Sequence, residues 1–424
     1  MTLVPSTPPK IAAGLLILGA CLLLRCDVAL WRHSSFTVFE NHHRADLGTV
    51  DTGIFTPVMA VIHHICSLLL ALLFSREAKA VGTETSLPSY PLAVKSPYLS
   101  VWLPGSAAGN AATAQPEFWT GEDLTWPVLA RIDGKTWALF GDSAGSISNA
   151  ATTDSVTFTS THTYFQVTAG SVKFTLDFFT PVTPGKDEYA QQSLPYSYLT
   201  VTASSSGFAP ASIQILSGID QTWTAQEGRA GANYTTTNST GLFWYFNPSA
   251  AYYTESGDRA TYGSVVFAAS TGDGVTHTSG SQSAVFDDFS QDGALSQSGS
   301  LQGNDFVAIS QDLGQVGGGK RAEVATASAT FVVGFQRDYA VNYLGKGQTG
   351  YHRSEWPTIP EAVDHVLENY GSALEQSKSF DTLIRSKAEA TSSNYADIVE
   401  ASVRQTFATF EITVSGPYLP MTGM

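Results

Sequence analysis

Carboxylates with a cation in reach are the residues of this chain best suited to chemistry, and two groups stand out. Asp397, Arg404 and Gln405 are spaced i, i+7 and i+8, so on a helix all three share one side. An arginine beside a carboxylate keeps it ionised and aimed, which suits the mouth of a site that binds a polar substrate. The plainer alternative is a helix-start carboxylate favoured by the macrodipole, with an arginine that merely packs. The second group is Glu122 and Asp123, which stand between Trp119 and Trp126. Carboxylates flanked by aromatic rings can form a sugar subsite or a general acid/base pair. Against that, tryptophans near strand ends are commonly core, and adjacent carboxylates on a strand point apart.

Other motifs carry less. Phe286 to Gly293, with Asp287, Asp288 and Asp292, offers oxygens for calcium but lacks regular ligand spacing, and it reads as a solvated turn. The glycines from Gly314 to Gly319 precede Lys320 without Walker spacing or a following helix, and they read as a hairpin turn. Asn233 and Asn238 head Asn-x-Ser/Thr sequons in a Thr-rich loop and are expected to carry glycans if the chain is exported.

The cysteines are Cys21, Cys26 and Cys66, so from Val81 onward no disulfide, thiolate metal site or cysteine nucleophile is available. His162, His277, His352 and His365 remain there, none paired at zinc-helix spacing. No metal and no cofactor are expected. Residues 81–424 hold 16 Lys and Arg against 32 Asp and Glu, an acidic balance without a basic run. Nucleic acid is therefore not an expected partner, and a small-molecule substrate is.

Charged residues make up only 14% of the chain while hydrophobic ones reach 43%, with 37 glycines. That mix fits short strands, tight turns and a hydroxyl-rich surface typical of exported proteins. Two apolar stretches, Ile11 to Leu24 and Val58 to Phe74, precede it. Met59 opens the second, and Ala78 and Ala80 occupy the small-residue positions of a signal cleavage site. Residues 59–80 thus read as a signal peptide cleaved after Ala80, and residues 1–58 as an upstream extension. Secretion with no lasting membrane partner is expected; the alternative is anchoring by these apolar segments.

The elements that must position the candidate groups fall into two kinds. Val172 to Phe178 and Leu199 to Ala203 alternate apolar and polar, as strands with one buried face do. Thr330 to Phe335 does so less cleanly. Asp133-Gly134 and Thr271 to Gly274 are turn signals between short β-rich runs. No helix is expected between Pro88 and Leu344. Residues 88–345 read as a large antiparallel β-sandwich, so the fold class is mainly β.

After Trp356 the period changes. Thr358 and Glu361 form a capping box, and Val363, Val366, Leu367, Tyr370 and Leu374 share one helical face. A short helix is expected from Asp381 to Glu389. A third, from Asn394, carries Val399, Val403, Thr406, Phe407 and Phe410 on one stripe. Residues 355–424 read as the start of an all-α domain whose apolar stripes await a cover. Gly416, Pro417 and Pro420 follow without a closing element, so truncation is expected.

Three passages carry a family resemblance: Pro91 to Leu103 with Lys95-Ser96-Pro97-Tyr98-Leu99, then Phe118 to Gly121 with Trp126 and Arg131 to Thr136, and later Tyr395 to Val399 with Ser402 to Phe407. Together, over residues 91 to about 412, they resemble the fungal extracellular glutaminase A family. The resemblance implies hydrolysis of L-glutamine to glutamate and ammonia. It also implies an N-terminal sandwich and a C-terminal (α/α) barrel of the six-hairpin glycosidase kind, of which this chain would hold only the first helices. A chain cut there would be inactive. Gly121 to Leu124 is more acidic than the family pattern, and the tail after Thr413 matches none of it. A glycoside hydrolase of the same barrel type and a non-catalytic sandwich binding module remain the rival readings.

Overall fold

The computed structural model describes residues 86–415 apart from Lys186, 206–209, 226–229, 247–250, 297–300 and 318–324, all within one compact unit, Ala78–Met424. Both apolar leader stretches and the Ala80 cleavage site lie outside the described residues.

The chain begins with β1 (Ser89–Ser96), β2 (Leu99–Pro104), β3 (Glu117–Phe118), β4 (Val128–Ile132), β5 (Lys135–Phe140), β6 (Thr152–Phe158), β7 (His162–Ala169) and β8 (Val172–Phe179). A short α1 (Tyr189–Gln192) leads to β9 (Tyr196–Ser205), β10 (Ala211–Ile219), β11 (Gly231–Thr236) and β12 (Thr240–Phe246). Next come β13 (Glu255–Ser256), β14 (Arg259–Ala260), β15 (Ser264–Ser270), β16 (Val275–Gly280), α2 (Gln282–Asp292), β17 (Phe306–Val316) and β18 (Ala325–Gln336). The last segment is β19 (Val341–Tyr343), β20 (Lys346–Gly350), α3 (Ile359–Glu368), α4 (Tyr370–Glu389), α5 (Ser393–Phe407) and β21 (Thr413–Ser415).

Two antiparallel sheets face each other. One has eight strands in the order β11-β12-β15-β18-β9-β8-β7-β6, and the other five in the order β16-β17-β10-β4-β5. Alternation builds the core between them: Phe174, Leu176 and Phe178 of β8, Leu199 and Val201 of β9, Phe267 of β15 and Phe331 and Val333 of β18 meet Ile213 and Ile215 of β10. The β4–β5 hairpin closes through Asp133 (φ 47°) and Gly134 (φ 85°), two successive positive φ values that match the right-handed strand twist.

Both outer faces are also covered. Tyr198, Val266, Ala268 and Val332, the alternate residues of β9, β15 and β18, pack against Ile359, Ala362, Val363 and Val366 of α3. Leu129, Leu216, Phe306 and Ala308 on the other outer face pack against Val285, Phe286 and Phe289 of α2. The described residues thus form a sandwich with a helix against each side.

Helix α2 corrects the expectation of an all-strand stretch, and with it the reading of Phe286 to Gly293 as a solvated turn. Ser281 caps it by accepting from the Ala284 amide, and Gly293 ends it at φ 77°. Arg131 donates to the Ser290 and Gln291 carbonyls at its C-terminal end (3.2 and 2.8 Å). The aspartates mark its solvent side; the phenylalanines decide its fold. The glycine run at Gly314 is likewise no hairpin turn, because β17 belongs to the five-stranded sheet and β18 to the eight-stranded one. Residues 318–320 of that run lie outside the described residues.

The capping box forms as expected, with Thr358 and Glu361 each bonding the other's backbone. The first helix ends earlier than its stripe suggested, at Asn369, and α4 is a 20-residue helix rather than a short one. The α3 stripe awaits no cover, since the sheet buries it. Strand β21 pairs with β20, Thr413 opposite Gly350 and Ser415 opposite Gln348, which brings the two ends of the α3–α5 segment together.

Candidate functional site

Beneath α4 and α5, the outer face of the eight-stranded sheet turns from apolar to polar. Thr159, Ser160, Thr161, His162 and Thr163 are all buried there. The Thr159 and Thr161 hydroxyls each donate to Asp381 Oδ2 of α4 at 2.7 Å. His162 Nδ1 lies 2.7 Å from Asp177 Oδ1, and the imidazole stacks between Tyr164 and Phe179. Burial pushes the Asp381 carboxyl up, while His162, the two threonines and Arg404 pull it back.

Helix α5 presents an ionic face to this layer, because Ala396, Asp397, Glu400 and Arg404 are its buried residues. Asp397 is held by Arg385 of α4 and not by Arg404, the cation its spacing pointed to. Arg385 Nη1 donates to Asp397 Oδ1 and Glu400 Oε2, both at 2.8 Å, and Nε to Glu389 at 2.7 Å. Burial works against the Arg385 charge, yet Glu389, Glu400 and Asp397 raise its pKa above the ordinary arginine value. Arg404 points elsewhere: Nη2 donates to the Pro91 carbonyl of β1 at 3.2 Å, while Nε and Nη1 have no hydrogen-bond partner. Burial lowers its pKa to about 10 against the pull of Asp381 and Asp177. Gln405 is exposed on the other side.

This junction clamps two helices to a sheet. A His–Asp pair resembles the base and orienter of a hydrolase, but the His162 ring is fully buried between two aromatic rings. Two cavities among the described residues measure about 30 and 20 Å³, the space of a water molecule or two.

Glu122 and Asp123 follow β3 in a turn closed by the Phe118 amide on the Glu122 carbonyl (2.8 Å) and the Gly121 amide on the Phe118 carbonyl (2.8 Å). Thr120 hydrogen-bonds the Glu122 carboxylate and lowers its pKa, the wrong direction for a general acid. The raised carboxyl is Glu117, pushed up by burial and by Asp123, its partner across an isolated bridge. Trp119 is exposed, whereas Trp126 lies in the core edge-on to Phe178 and Trp223. No aromatic-walled subsite forms around the pair. Asn233 lies half-buried within β11, and Asn238 is exposed at the β11–β12 turn. Among the described residues no group of His, Cys, Asp and Glu could hold a metal ion.

Sequence reasoning named Asp397 and Arg404, which lie at this junction with different partners, and missed Arg385, Asp381 and the His162–Asp177 pair. Spacing along α5 was a usable signal for Glu400, three residues past Asp397. Nothing local ties residue 385 to 397 or 159 to 381.

Comparison with known proteins places this arrangement. Residues 161–387, from β7 through most of α4, match the family described as "Domain of unknown function (DUF5127)". The match takes in His162, Asp177, Asp381 and Arg385. The chain is 29% identical over 380 residues to "Glutaminase A" of Aspergillus oryzae, covering 84% of this chain and 53% of that protein. It is 31% identical over 150 residues to a "Probable glutaminase" of Arthroderma benhamiae, covering 32% of this chain and 17% of that protein. It therefore spans about half the length of the first of these relatives. With a sandwich passing through a buried ionic layer into helices, and matched by this family over more than half of its length, the chain belongs to the DUF5127 family, and it is similar along most of its length to "Glutaminase A".

Proposed function

We propose that this chain serves an exported, glutaminase-A-like amidohydrolase that converts L-glutamine to glutamate and ammonia, and that it supplies the sandwich platform of that enzyme. The observation that carries the reading is the 380-residue similarity to "Glutaminase A", too long to be confined to the sandwich. Export rests on the apolar core and the Ala-x-Ala site ending at Ala80. N-terminal sequencing of the product should begin at or near Val81.

We further propose that the chain by itself is silent toward glutamine. Cavities of about 30 and 20 Å³ are too small to enclose a substrate of the size of glutamine, which needs a pocket roughly ten times larger. Turnover would need donors fixed around the developing oxyanion in a space that admits the amide. The test is ammonia release from L-glutamine by this chain, beside the same chain extended with the downstream region of the Aspergillus relative. Turnover only by the extended protein supports the reading. Equal turnover by both would overturn the silence and make Glu122, Asp123 and Asp397 the first residues to substitute.

A further inference from the structure

The cleft of about 30 Å³ lies apart from the ionic junction, between β1, α1, β20 and the chain after α5. Its polar side chains are mostly donors. Lys95 of β1 is 5% exposed; its Nζ donates to the Pro181 carbonyl at 2.6 Å and sits 5.4 Å from the Phe407 ring centroid. Gln192 spends its carbonyl on the Thr183 amide (2.6 Å), leaving a buried Nε2 without an acceptor. His352 is 3% exposed, and neither ring nitrogen reaches a partner at full hydrogen-bonding geometry, although the Ser193 backbone lies close enough to act on it. Arg337 also lines the cleft but is engaged, with Glu411, Tyr262 and the Ala340 carbonyl.

A buried donor without an acceptor is costly, and Gln192 Nε2, with Lys95 and His352 beside it around one space, calls for an acceptor-rich occupant. The only carboxylate lining the cleft, Glu411, is already paired with Arg337. We propose that this cleft is a binding site for a small carboxylate anion, held by Lys95 Nζ, the Gln192 amide and the His352 ring N–H. The volume suits a carboxylate group with little attached. The site is independent of amide hydrolysis and stands or falls without it.

Binding there is coupled to a proton. Burial lowers the Lys95 pKa to about 7 and that of His352 to about 3. The charged and titratable groups facing Lys95 are Arg337 just after β18, Glu411 after α5 and His352 after β20. Arg404, on the same helix as Phe407, contacts β1 at Pro91 rather than at Lys95. An anion beside Lys95 favours its charged form, so binding above neutrality takes up a proton and weakens as pH rises.

The experiment is calorimetric titration of the full chain with sodium acetate at about pH 8, in two buffers of different ionisation enthalpy, with acetamide as the uncharged control. Saturable acetate binding with uptake of about one proton per acetate, and none with acetamide, is expected. Lys95→Met should weaken it about tenfold or more, and Gln192→Leu by roughly three- to tenfold. Absence of saturable binding, equal binding of acetamide, or binding without proton uptake would each overturn the proposal. The proton count is read on the unaltered protein, so the test survives a variant that fails to fold.

Discussion

Arg404→Met should stabilise this protein, although it deletes a fully buried cation. Its pKa falls from the ordinary 12.5 to about 10, so the folded environment disfavours the cation by roughly 3 kcal/mol even with Asp381 and Asp177 nearby. Methionine removes that penalty and the two unpartnered nitrogens. Two losses offset it. The hydrogen bond to the Pro91 carbonyl is worth about 1 kcal/mol, but that oxygen keeps the Thr163 hydroxyl at 2.6 Å, so no buried acceptor is orphaned. The imperfect fit of the new side chain costs up to about 1 kcal/mol. A net gain of about 1–2 kcal/mol remains. Asp381 qualifies it: its folded pKa is already raised, and losing a nearby cation raises it further. A raised carboxyl loses stability as pH climbs from its unfolded value through its folded value, so the gain should be larger near pH 5 than near pH 8. Urea unfolding at both pH values measures it. A loss of more than about 1 kcal/mol at both would show that the attraction of Arg404 for Asp381 and Asp177 outweighs its burial, and would refute the reasoning.

The neighbouring cation should behave oppositely: Arg385→Met is expected to cost about 1–3 kcal/mol, since it withdraws a cation from buried Glu400, and a Glu400→Gln background should recover part of it in a double-mutant cycle. Phe289→Ala should cost about 3–5 kcal/mol by emptying the space between α2 and the five-stranded sheet, read as a lowered urea midpoint. His352 is held neutral in the fold with a pKa of about 3, while the unfolded chain protonates it near 6.5. Stability should therefore fall as pH drops through that window, by as much as ~5 kcal/mol, and His352→Gln should flatten the acid limb. If the chain passes through a glycosylating pathway, peptide mapping should find the sugar on Asn238, at an exposed turn, in preference to Asn233 within a paired strand.

Strand alternation made the sandwich legible, because a residue that must face a core leaves a period of two whatever its partners are. Val172 to Phe178 and Leu199 to Ala203 are both strands of the eight-stranded sheet. Helix α2 was hidden because Asp287, Asp288 and Asp292 dominated the reading, while the informative residues were Val285, Phe286 and Phe289, facing a sheet whose position no local pattern reveals. On α5 the hydrophobic period misled. The expected stripe is only half-buried at Val399, Val403 and Phe407 and exposed at Thr406 and Phe410, while the buried residues are chiefly Asp397, Glu400 and Arg404, because the layer beneath is polar. The partner of Asp397 sits on another helix, and which arginine arrives is a matter of packing.

Because β21 returns to lie beside β20, the three C-terminal helices form a closed excursion of roughly sixty residues whose entrance and exit are stitched together. Such a loop can exchange its backbone hydrogens as one block while the two sheets stay paired, since the helices contribute no strand to the sandwich. The stitch also sets what opening costs. It keeps the ends together, so the block re-docks from nearby rather than as a free tail, and the tyrosines beneath α3 are uncovered only briefly. Hydrogen exchange should then report α3, α4 and α5 as a single slow unit whose protection is lost at once, below that of β9 and β18. A change at the stitch would loosen all three together.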